Sequence, residues 1–223
     1  MATSQTMIRA ISDRSGAPIA PQPATAVILA GGMSIRMGRD KAMLPFLGRP
    51  MIEHVFLQLR PHFEKILISA NAPERFAFLN AVVVPDKTPG LGPLMGIASC
   101  LEASPHELNF VVACDIPTFD MSFVQHMLHQ AGGIKIDTTG DCVVPVNDRG
   151  QLEPLLAVYK KTALEAMWST LASGQCRIRR VFSRCRVRYV RLPEEGRLDN
   201  VNTTQDYEQL LSRQSSIEYP YAV

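Results

Sequence analysis

The stretch ILAGGMSIRMGRDKAMLPFLGRP, residues 28–50, places a glycine-rich segment directly after an apolar run. The run itself, TAVILA at 25–30, predicts a strand that is buried on both faces. Glycines let the backbone approach a ligand closely, and free N–H groups beside basic side chains attract anions. The segment supplies both kinds of residue: Gly31, Gly32, Gly38, Arg36 and Lys41. It therefore predicts a phosphate-binding loop, and the alternative is a glycine turn with solvated charges.

This loop matches neither of two well-known nucleotide motifs. The sequence lacks the G-x-x-x-x-G-K-[ST] of a Walker loop, and its glycines miss the G-x-G-x-x-G spacing of a dinucleotide-binding turn. An NAD-binding oxidoreductase is therefore disfavoured. No G-x-S-x-G and no Cys/His arrangement supports nucleophilic catalysis, and the five histidines form no pair with metal-ligand spacing.

Apolar, β-branched runs alternate along the chain with segments of helical periodicity. The predicted strands lie at 25–30, 65–70, 81–86, 108–115, 141–146, 153–159 and about 186–192. The predicted helices lie at 50–61, 92–103, 121–131, 161–172 and about 203–213. This alternation predicts an α/β fold of three layers, in which a doubly wound, mostly parallel sheet carries helices on both faces.

The length and composition fit a single domain with a small net charge. The 223 residues, 46% of them hydrophobic, are enough for one large core. We predict an N-terminal tail at 1–24, a single domain at 25–213 and a C-terminal tail at 214–223. The net charge of +2 gives no reason to expect a nucleic-acid partner. No apolar run approaches the roughly 20 residues of a membrane helix, and five cysteines without zinc spacing fit a reduced, cytoplasmic protein.

Two acids follow predicted strands, and both are expected at the edge of the sheet where the glycine loop lies. Asp115 ends the run VVACD, and Asp86 precedes a Gly/Pro-rich loop. In open α/β sheets, ligands bind outside the carboxyl ends of the strands. Asp115 is a candidate ligand for Mg²⁺, which needs only one or two carboxylates beside water and phosphate oxygens. The alternative for either acid is ordinary turn or capping chemistry.

Two further segments carry candidate binding residues. LDNVNTTQDYEQL (198–210) holds Asn200 and Asn202 just before the last predicted helix, where they either reach a metal or phosphate or serve only the helix end. CRIRRVFSRCRVRYVR (176–191) holds seven arginines, which form either a solvated face or an anion site.

These motifs resemble those of the molybdenum cofactor guanylyltransferases. LAGGMSIRMGRDKAML resembles the family's signature, and GPLMGI, CDIP and NVNTTQD follow in the expected order, so that the resemblance covers about residues 25–212. The double glycine and RDK point to the guanylyl branch, since related cytidylyl enzymes usually have LAAG there. The resemblance implies a Rossmann-like nucleotidyltransferase fold, a cytoplasmic location and transfer of GMP from GTP to molybdenum-bound molybdopterin, with release of pyrophosphate.

The resemblance also implies roles for single residues. The loop residues contact the nucleotide through their backbone: Leu29, Ala30, Gly31 and Gly32. Lys41 and Arg36 bind phosphate, Asp115 holds Mg²⁺, and Asp86 lies beside the nucleotide. A further nucleotide contact falls on Ser69 or Asn71, and the sequence does not choose between them. The second substrate is assigned to Asn200 and Asn202, and we add Arg179 and Arg180 from the arginine segment as a hypothesis.

The chain departs from the family's usual pattern at two positions, and other functions stay open. Met33 lies where such loops often carry a smaller or polar residue, and Thr204 lies where the family usually has Pro. The alternatives are a related nucleotidyltransferase that uses CTP or a sugar phosphate, and a non-catalytic nucleotide-binding adaptor on the same fold. Molybdenum-insertion proteins or client-enzyme chaperones are possible partners.

Overall fold

The computed structural model describes residues 20–31, 40–132, 140–193 and 200–212. In these residues the strands are β1 Gln22–Leu29, β2 Pro45–Phe46, β3 Arg49–Pro50, β4 Phe63–Ser69, β5 Val82–Val84, β6 Leu108–Ala113, β7 Cys142–Val146, β8 Leu156–Lys160 and β9 Val187–Arg191. The α-helices are α1 Met51–Leu59, α2 Pro93–Ala103, α3 Met121–Gln130, α4 Leu164–Ala172 and α5 Thr204–Ser212. Short 3-10 helices lie at Lys41–Met43, Pro73–Leu79, Lys161–Ala163 and Ile178–Arg184.

Seven strands form one sheet in the order β5-β4-β1-β6-β8-β7-β9. All of them are parallel except β8, which pairs antiparallel with both of its neighbours. β1 lies in the middle of the parallel part, with Val27 paired to Leu67 on one side and to Val111 on the other. A strand covered on both faces needs apolar side chains in both directions, which explains the unbroken run first seen in the sequence.

Helices cover both faces of the sheet, so the predicted three-layer fold is confirmed. Ala26 and Ile28 of β1 belong to the core that packs against α1 and α3. Val27 and Leu29 point the opposite way, into the core that packs against α2 and α4. Successive strand residues face opposite sides, so one short strand contributes to two hydrophobic cores.

A third, smaller cluster joins the hairpin β2–β3 to the last described helix, α5. It contains Leu44 and Phe46, close to hairpin β2–β3, together with Val201 and Leu210 from the segment around α5. The Tyr207 hydroxyl donates a hydrogen bond to a carbonyl of the same hairpin. The residues after the glycine loop are therefore held against the C-terminal helix.

The predicted tail at 1–24 is described only from residue 20, and β1 begins at Gln22. The division into tails and one domain stays a prediction, because residues 1–19 and 213–223 lie outside the described part. Among the described residues, no helix is long and apolar enough to cross a bilayer.

Candidate active site

A cavity of about 630 Å³ opens at the carboxyl edge of the parallel strands. It is formed where β1, β4 and β6 end, with α2 beginning on one side and the 3-10 helix Lys41–Met43 on another. Eight of the site residues predicted from the sequence line it: Leu29, Ala30, Gly31, Lys41, Ser69, Asn71, Asp86 and Asp115. The rule that ligands bind at this edge of an α/β sheet therefore brings the separate motifs to one place.

The charged centre of the cavity is the ammonium group of Lys41. Its Nζ lies 2.9 Å from Asp115 Oδ2 and donates a second hydrogen bond to Asn202 Oδ1 at 3.1 Å. Lys41 and Asp115 are largely buried, with 16% and 22% of their side chains exposed, so water screens this pair less than a surface ion pair. Residues 74 and 161 positions apart in the sequence meet here within hydrogen-bond distance.

The backbone around Lys41 fixes where this ammonium group lies. Asp40 caps the 3-10 helix by accepting a hydrogen bond from the Ala42 N–H at 3.1 Å, and it forms an ion pair with Arg75. The Val201 N–H donates to the Asp115 carbonyl at 2.9 Å, which brings Asn202 to the same point. The sequence did not predict Asp40 or Arg75 as site residues, because nothing in the RDK motif distinguishes the role of the acid from that of the lysine.

The side chain of Asn202 does not cap the adjacent helix, although its backbone N–H donates to Asp206 Oδ2 at 3.0 Å. The N-terminus of α5 is capped instead by a reciprocal pair, in which Thr203 Oγ1 accepts from the Asp206 N–H at 3.1 Å and Asp206 Oδ2 accepts from the Thr203 N–H at 2.8 Å. This is the arrangement of a capping box. The side chain of Asn202 is therefore directed to Lys41, whereas within the described part of the chain the Asn200 side chain makes no hydrogen bond.

On the opposite wall, Asn71 and Asp86 hold each other. Asn71 Oδ1 accepts from the Asp86 N–H at 2.8 Å, and Asn71 Nδ2 donates to Asp86 Oδ2 at 3.1 Å. One amide side chain thus fixes both the backbone and the carboxylate of the acid. The sequence left Ser69 and Asn71 as alternatives, and the structure places both on the cavity wall.

Ser69 lies under a glycine of helix α2. A Cβ placed on Gly96 would lie 2.3 Å from Ser69 Oγ and 3.3 Å from Asp86 Oδ1. Only glycine fits this contact without movement of a neighbour. Gly96 belongs to the motif GPLMGI, and a glycine inside a helix usually has a packing or functional reason. The helix begins at Pro93 beside Gly92, so its free N–H groups and positive dipole end lie at the cavity.

The cysteine on the wall is not a nucleophile. Burial, with a smaller contribution from the neighbouring Asp115 carboxylate, raises the pKa of Cys114 to about 12. The thiol therefore stays protonated near neutral pH. The described residues contain no group of three or more His, Cys, Asp or Glu side chains that could hold a metal by themselves.

The arginine segment lies beside the cavity and does not line it. Arg179 and Arg180 are exposed on the 3-10 helix Ile178–Arg184, and Arg179 donates to the Leu152 carbonyl at 3.4 Å. Glu153 is the next residue, and burial raises its pKa. The positive charge of Arg179 partly opposes this shift. The loop that carries Glu153 continues to Leu155 on the cavity wall, so Arg179 lies at the same edge of the sheet. Glu153 had no signal in the sequence.

Gly32 and Arg36 lie outside the described residues, as do Met33 and Gly38. Their predicted roles stay predictions.

A nucleotide-sized cavity combines a fixed ammonium group, an aspartate at a strand end, an amide–carboxylate pair and a helix N-terminus. On the doubly wound α/β fold, these features define a nucleotidyltransferase. The chain belongs to the family of the MobA-like NTP transferase domain, whose model matches residues 26–190.

The chain is also similar to individual proteins. It is 35% identical over 197 residues to a protein of Carboxydothermus hydrogenoformans named a probable molybdenum cofactor guanylyltransferase, covering 85% of this chain and 96% of that protein. The solved structure of molybdopterin-guanine dinucleotide biosynthesis protein A from Archaeoglobus fulgidus matches with a TM-score of 0.73 and 23% identity, over 86% of this chain and all of that one. A Mycobacterium tuberculosis protein solved in complex with manganese shares the fold at 18% identity and a TM-score of 0.56, covering 85% of this chain and 98% of that one.

Proposed function

We propose that this chain transfers GMP from GTP to the molybdenum–molybdopterin cofactor and releases pyrophosphate. The product is the guanine dinucleotide form of the cofactor. One observation carries the proposal: Lys41, Asp115 and Asn202 converge on one point of the cavity, opposite the Asn71–Asp86 pair. Membership of the family supports the class of reaction, and the names of relatives such as the C. hydrogenoformans protein support the two substrates.

The nucleotide is held from three sides in this proposal. Leu29, Ala30 and Gly31 line the cavity at the end of β1, and Lys41 neutralises phosphate charge. The N-terminus of α2 adds backbone N–H donors. Asp86, fixed by Asn71, lies beside the nucleoside with its second carboxylate oxygen available to accept hydrogen bonds.

The residues present fit a magnesium ion. Asp115 Oδ2 and Asn202 Oδ1 both accept a hydrogen bond from the Lys41 ammonium group, so a carboxylate oxygen and an amide oxygen lie close together beside it. Carboxylate and amide oxygens are the ligands that this hard cation prefers. When bound, the ion would neutralise phosphate charge at the reacting centre. We assign it to Asp115, with Asn202 as a second candidate ligand.

The chemistry needs no general base from the protein. The acceptor is a phosphate monoester that is already anionic near neutral pH, and the obstacle is the approach of one anion to the α-phosphorus of another. Lys41 and Arg36 would neutralise charge on the transferring group and on the departing pyrophosphate. The fixed walls of the cavity would hold the two phosphates in line for the displacement. The Cys114 thiol in the cavity stays protonated, which is consistent with a mechanism that uses no general base.

The second substrate is assigned to the side of the cavity that the later part of the chain forms. Asn200 and Asn202 approach from the segment before α5, and Arg179 lies beside the loop that ends at Leu155. Arg179 and Arg180 would attract the anionic acceptor, since a guanidinium group suits phosphate. Variants with Arg179→Ala and Arg180→Ala should raise KM for the acceptor and leave GTP affinity unchanged. An unchanged acceptor KM would remove both arginines from the site.

Calorimetric titration with GTP, CTP, ATP and UTP, with Mg²⁺ and with EDTA, tests the nucleotide half of the proposal. We expect selective GTP binding that weakens in EDTA. Preference for CTP would keep the class of enzyme and overturn the product, and no binding at millimolar concentration would favour the non-catalytic adaptor.

Single-turnover transfer to the acceptor tests the catalytic half. Lys41→Met and Asp115→Asn should each reduce the rate at least ~10²-fold, as expected on removal of one stabilising group. Lys65→Met is the matched control, because Lys65 lies near the opposite end of β4. Near-wild-type rates for both site variants would refute the assignment. A cytoplasmic location and docking of molybdenum-insertion or client-enzyme chaperone proteins remain part of the proposal.

A further inference from the structure

The cavity assigned to the nucleotide phosphates carries more acids than bases. Of the described residues that line it, one is basic, Lys41, and three are acidic: Asp40, Asp86 and Asp115. Asp115 lies 2.9 Å from the Lys41 ammonium group and is assigned to the magnesium ion, and Asp86 is assigned to the nucleoside. Asp40 has no such ligand, so its negative charge would repel the phosphates unless another group neutralises it.

Both carboxylate oxygens of Asp40 are engaged. Oδ1 accepts a hydrogen bond from the Ala42 N–H at 3.1 Å and so caps the 3-10 helix that begins at Lys41. Oδ2 forms an ion pair with the guanidinium group of Arg75. The Asp40 carboxylate can therefore turn away from the cavity only by losing the cap of the helix that carries the phosphate-binding lysine.

Arg75 reaches Asp40 from a wall that is anchored separately. It lies on the 3-10 helix Pro73–Leu79, which follows β4 and buries Phe76 and Leu79 in the core that contains α1 and α3. The guanidinium carbon Cζ lies 5.7 Å from the centre of the Phe76 ring, a distance at which an aromatic face attracts a cation. Arg75 therefore brings a positive charge to Asp40 from outside the loop on which that acid lies.

We propose that Arg75 is a positioning residue of the phosphate site and acts through Asp40. It neutralises the carboxylate that caps the Lys41 helix, so that this acid does not repel an incoming triphosphate. The ion pair also joins the segment after β1 to the segment after β4, across 35 residues of sequence. The inference rests on the proposed function, because it requires the cavity to bind the phosphates of a nucleotide.

The exposure of the pair separates this role from a purely structural one. The Arg75 and Asp40 side chains are 44% and 25% exposed, and ion pairs with such access to water contribute little to folding stability. Loss of Arg75 should therefore weaken anion binding while urea unfolding stays close to that of the wild-type protein.

Calorimetric titration with inorganic triphosphate in the presence of Mg²⁺ tests the charge without the base. Arg75→Ala should weaken binding about tenfold, the order of magnitude for one unit charge in a partly buried site. Asp40→Asn should bind at least as tightly as the wild-type protein, since the amide oxygen can still accept from the Ala42 N–H. In the double variant the loss should disappear, because no acid remains to be neutralised.

Two further variants control for charge and for exposure. Arg75→Lys keeps the charge and should retain most of the affinity. Arg49→Ala is the matched control, because Arg49 and Glu53 form an ion pair with side chains 39% and 22% exposed, and neither is among the described residues that line the cavity. Its triphosphate binding should equal that of the wild-type protein.

The double variant distinguishes neutralisation of Asp40 from direct binding of phosphate by Arg75. A loss that persists in the double variant would overturn the inference, as would unchanged binding in Arg75→Ala or no binding of triphosphate by the wild-type protein. The expected pattern in a protein that prefers CTP to GTP would support the inference and overturn the proposed product. Selective GTP binding without any effect of Arg75→Ala would do the reverse.

Discussion

Substitution of Gly96 by alanine tests how tightly the cavity wall is packed. Alanine inside a helix is normally about 1 kcal/mol more favourable than glycine, so propensity alone predicts stabilisation. The new Cβ, however, would lie 2.3 Å from Ser69 Oγ, closer than atoms approach in proteins. Ser69 is only 3% exposed, so its hydroxyl has little room to turn away from the new methyl group.

The cost of overpacking and the gain in helix propensity are of comparable size. Overpacking a buried contact costs about 1–3 kcal/mol, which exceeds the helix gain of about 1 kcal/mol. Gly96→Ala should therefore destabilise the fold by about 1 kcal/mol. In a Ser69→Ala background the nearest remaining atoms are Asp86 Oδ1 at 3.3 Å, a tight contact, and the Cβ of residue 69 at 3.5 Å, an ordinary one. Once the Asp86 carboxylate shifts by a few tenths of an ångström, the same substitution should stabilise the fold by about 1 kcal/mol. The expected coupling between the two positions is about 2 kcal/mol.

Urea unfolding of the four proteins of this cycle measures the coupling directly. GTP affinity should also fall about tenfold in Gly96→Ala, or about 1.4 kcal/mol, because the Cβ would lie 3.3 Å from Asp86 Oδ1. Gly31→Ala is the control for stability, since its Cβ would lie 3.7 Å from the Ser69 carbonyl oxygen. Equal stabilisation by Gly96→Ala in both backgrounds would refute the steric argument.

Three further substitutions test other contacts. Asn71→Ala should weaken GTP binding about tenfold in calorimetry, because the Asp86 carboxylate loses the amide that orients it; an unchanged Kd would contradict this role. Burial opposes the shift, but hydrogen bonds from Arg186 lower the pKa of Asp141 in the folded protein. The stability that Asp141 contributes is therefore fully present above its ordinary pKa of 3.8. It is lost as the pH falls through the lower pKa of the folded state. Asp141→Asn should therefore cost about 1 kcal/mol at pH 7 and much less at pH 2 in urea unfolding, and an equal cost at both would exclude the charge as the cause. Tyr207→Phe should cost about 1 kcal/mol in the same assay, because its hydroxyl bonds the β2–β3 hairpin; wild-type stability would show that this bond contributes nothing.

The strands of the large sheet could be predicted because most of them contain a run of apolar residues, whereas the two-residue strands β2 and β3 were not predicted. β1 and β6 lie within three residues of the predicted bounds at each end. The direction of β8 could not be predicted, since an apolar strand has the same pattern whichever way it runs. The 3-10 helix Ile178–Arg184 was also missed, because its buried Ile178, Val181 and Phe182 are dispersed among arginines that suggested only a basic face.

The members of the candidate site could be predicted individually, but their pairing could not. Motif order and the strand-end rule brought Lys41, Asp86 and Asp115 to one edge of the sheet. That Asn71 holds Asp86, and that Asn202 reaches Lys41, depends on side-chain directions across long stretches of chain. Sequence spacing contains no information on such contacts.

The antiparallel strand β8 lets different parts of the chain form the two sides of the site. Because β8 runs against β6 and β7, the loop before it reaches the carboxyl edge of the sheet beside the end of β6. The walls assigned to the nucleotide come from residues 22–115, whereas the residues assigned to the acceptor come later in the chain, from 152–155, 179–180 and 200–202. In the proposed reaction, donor and acceptor recognition are thus encoded in consecutive blocks. A chimaera that exchanges the second block with a relative could receive a different acceptor while it keeps its nucleotide.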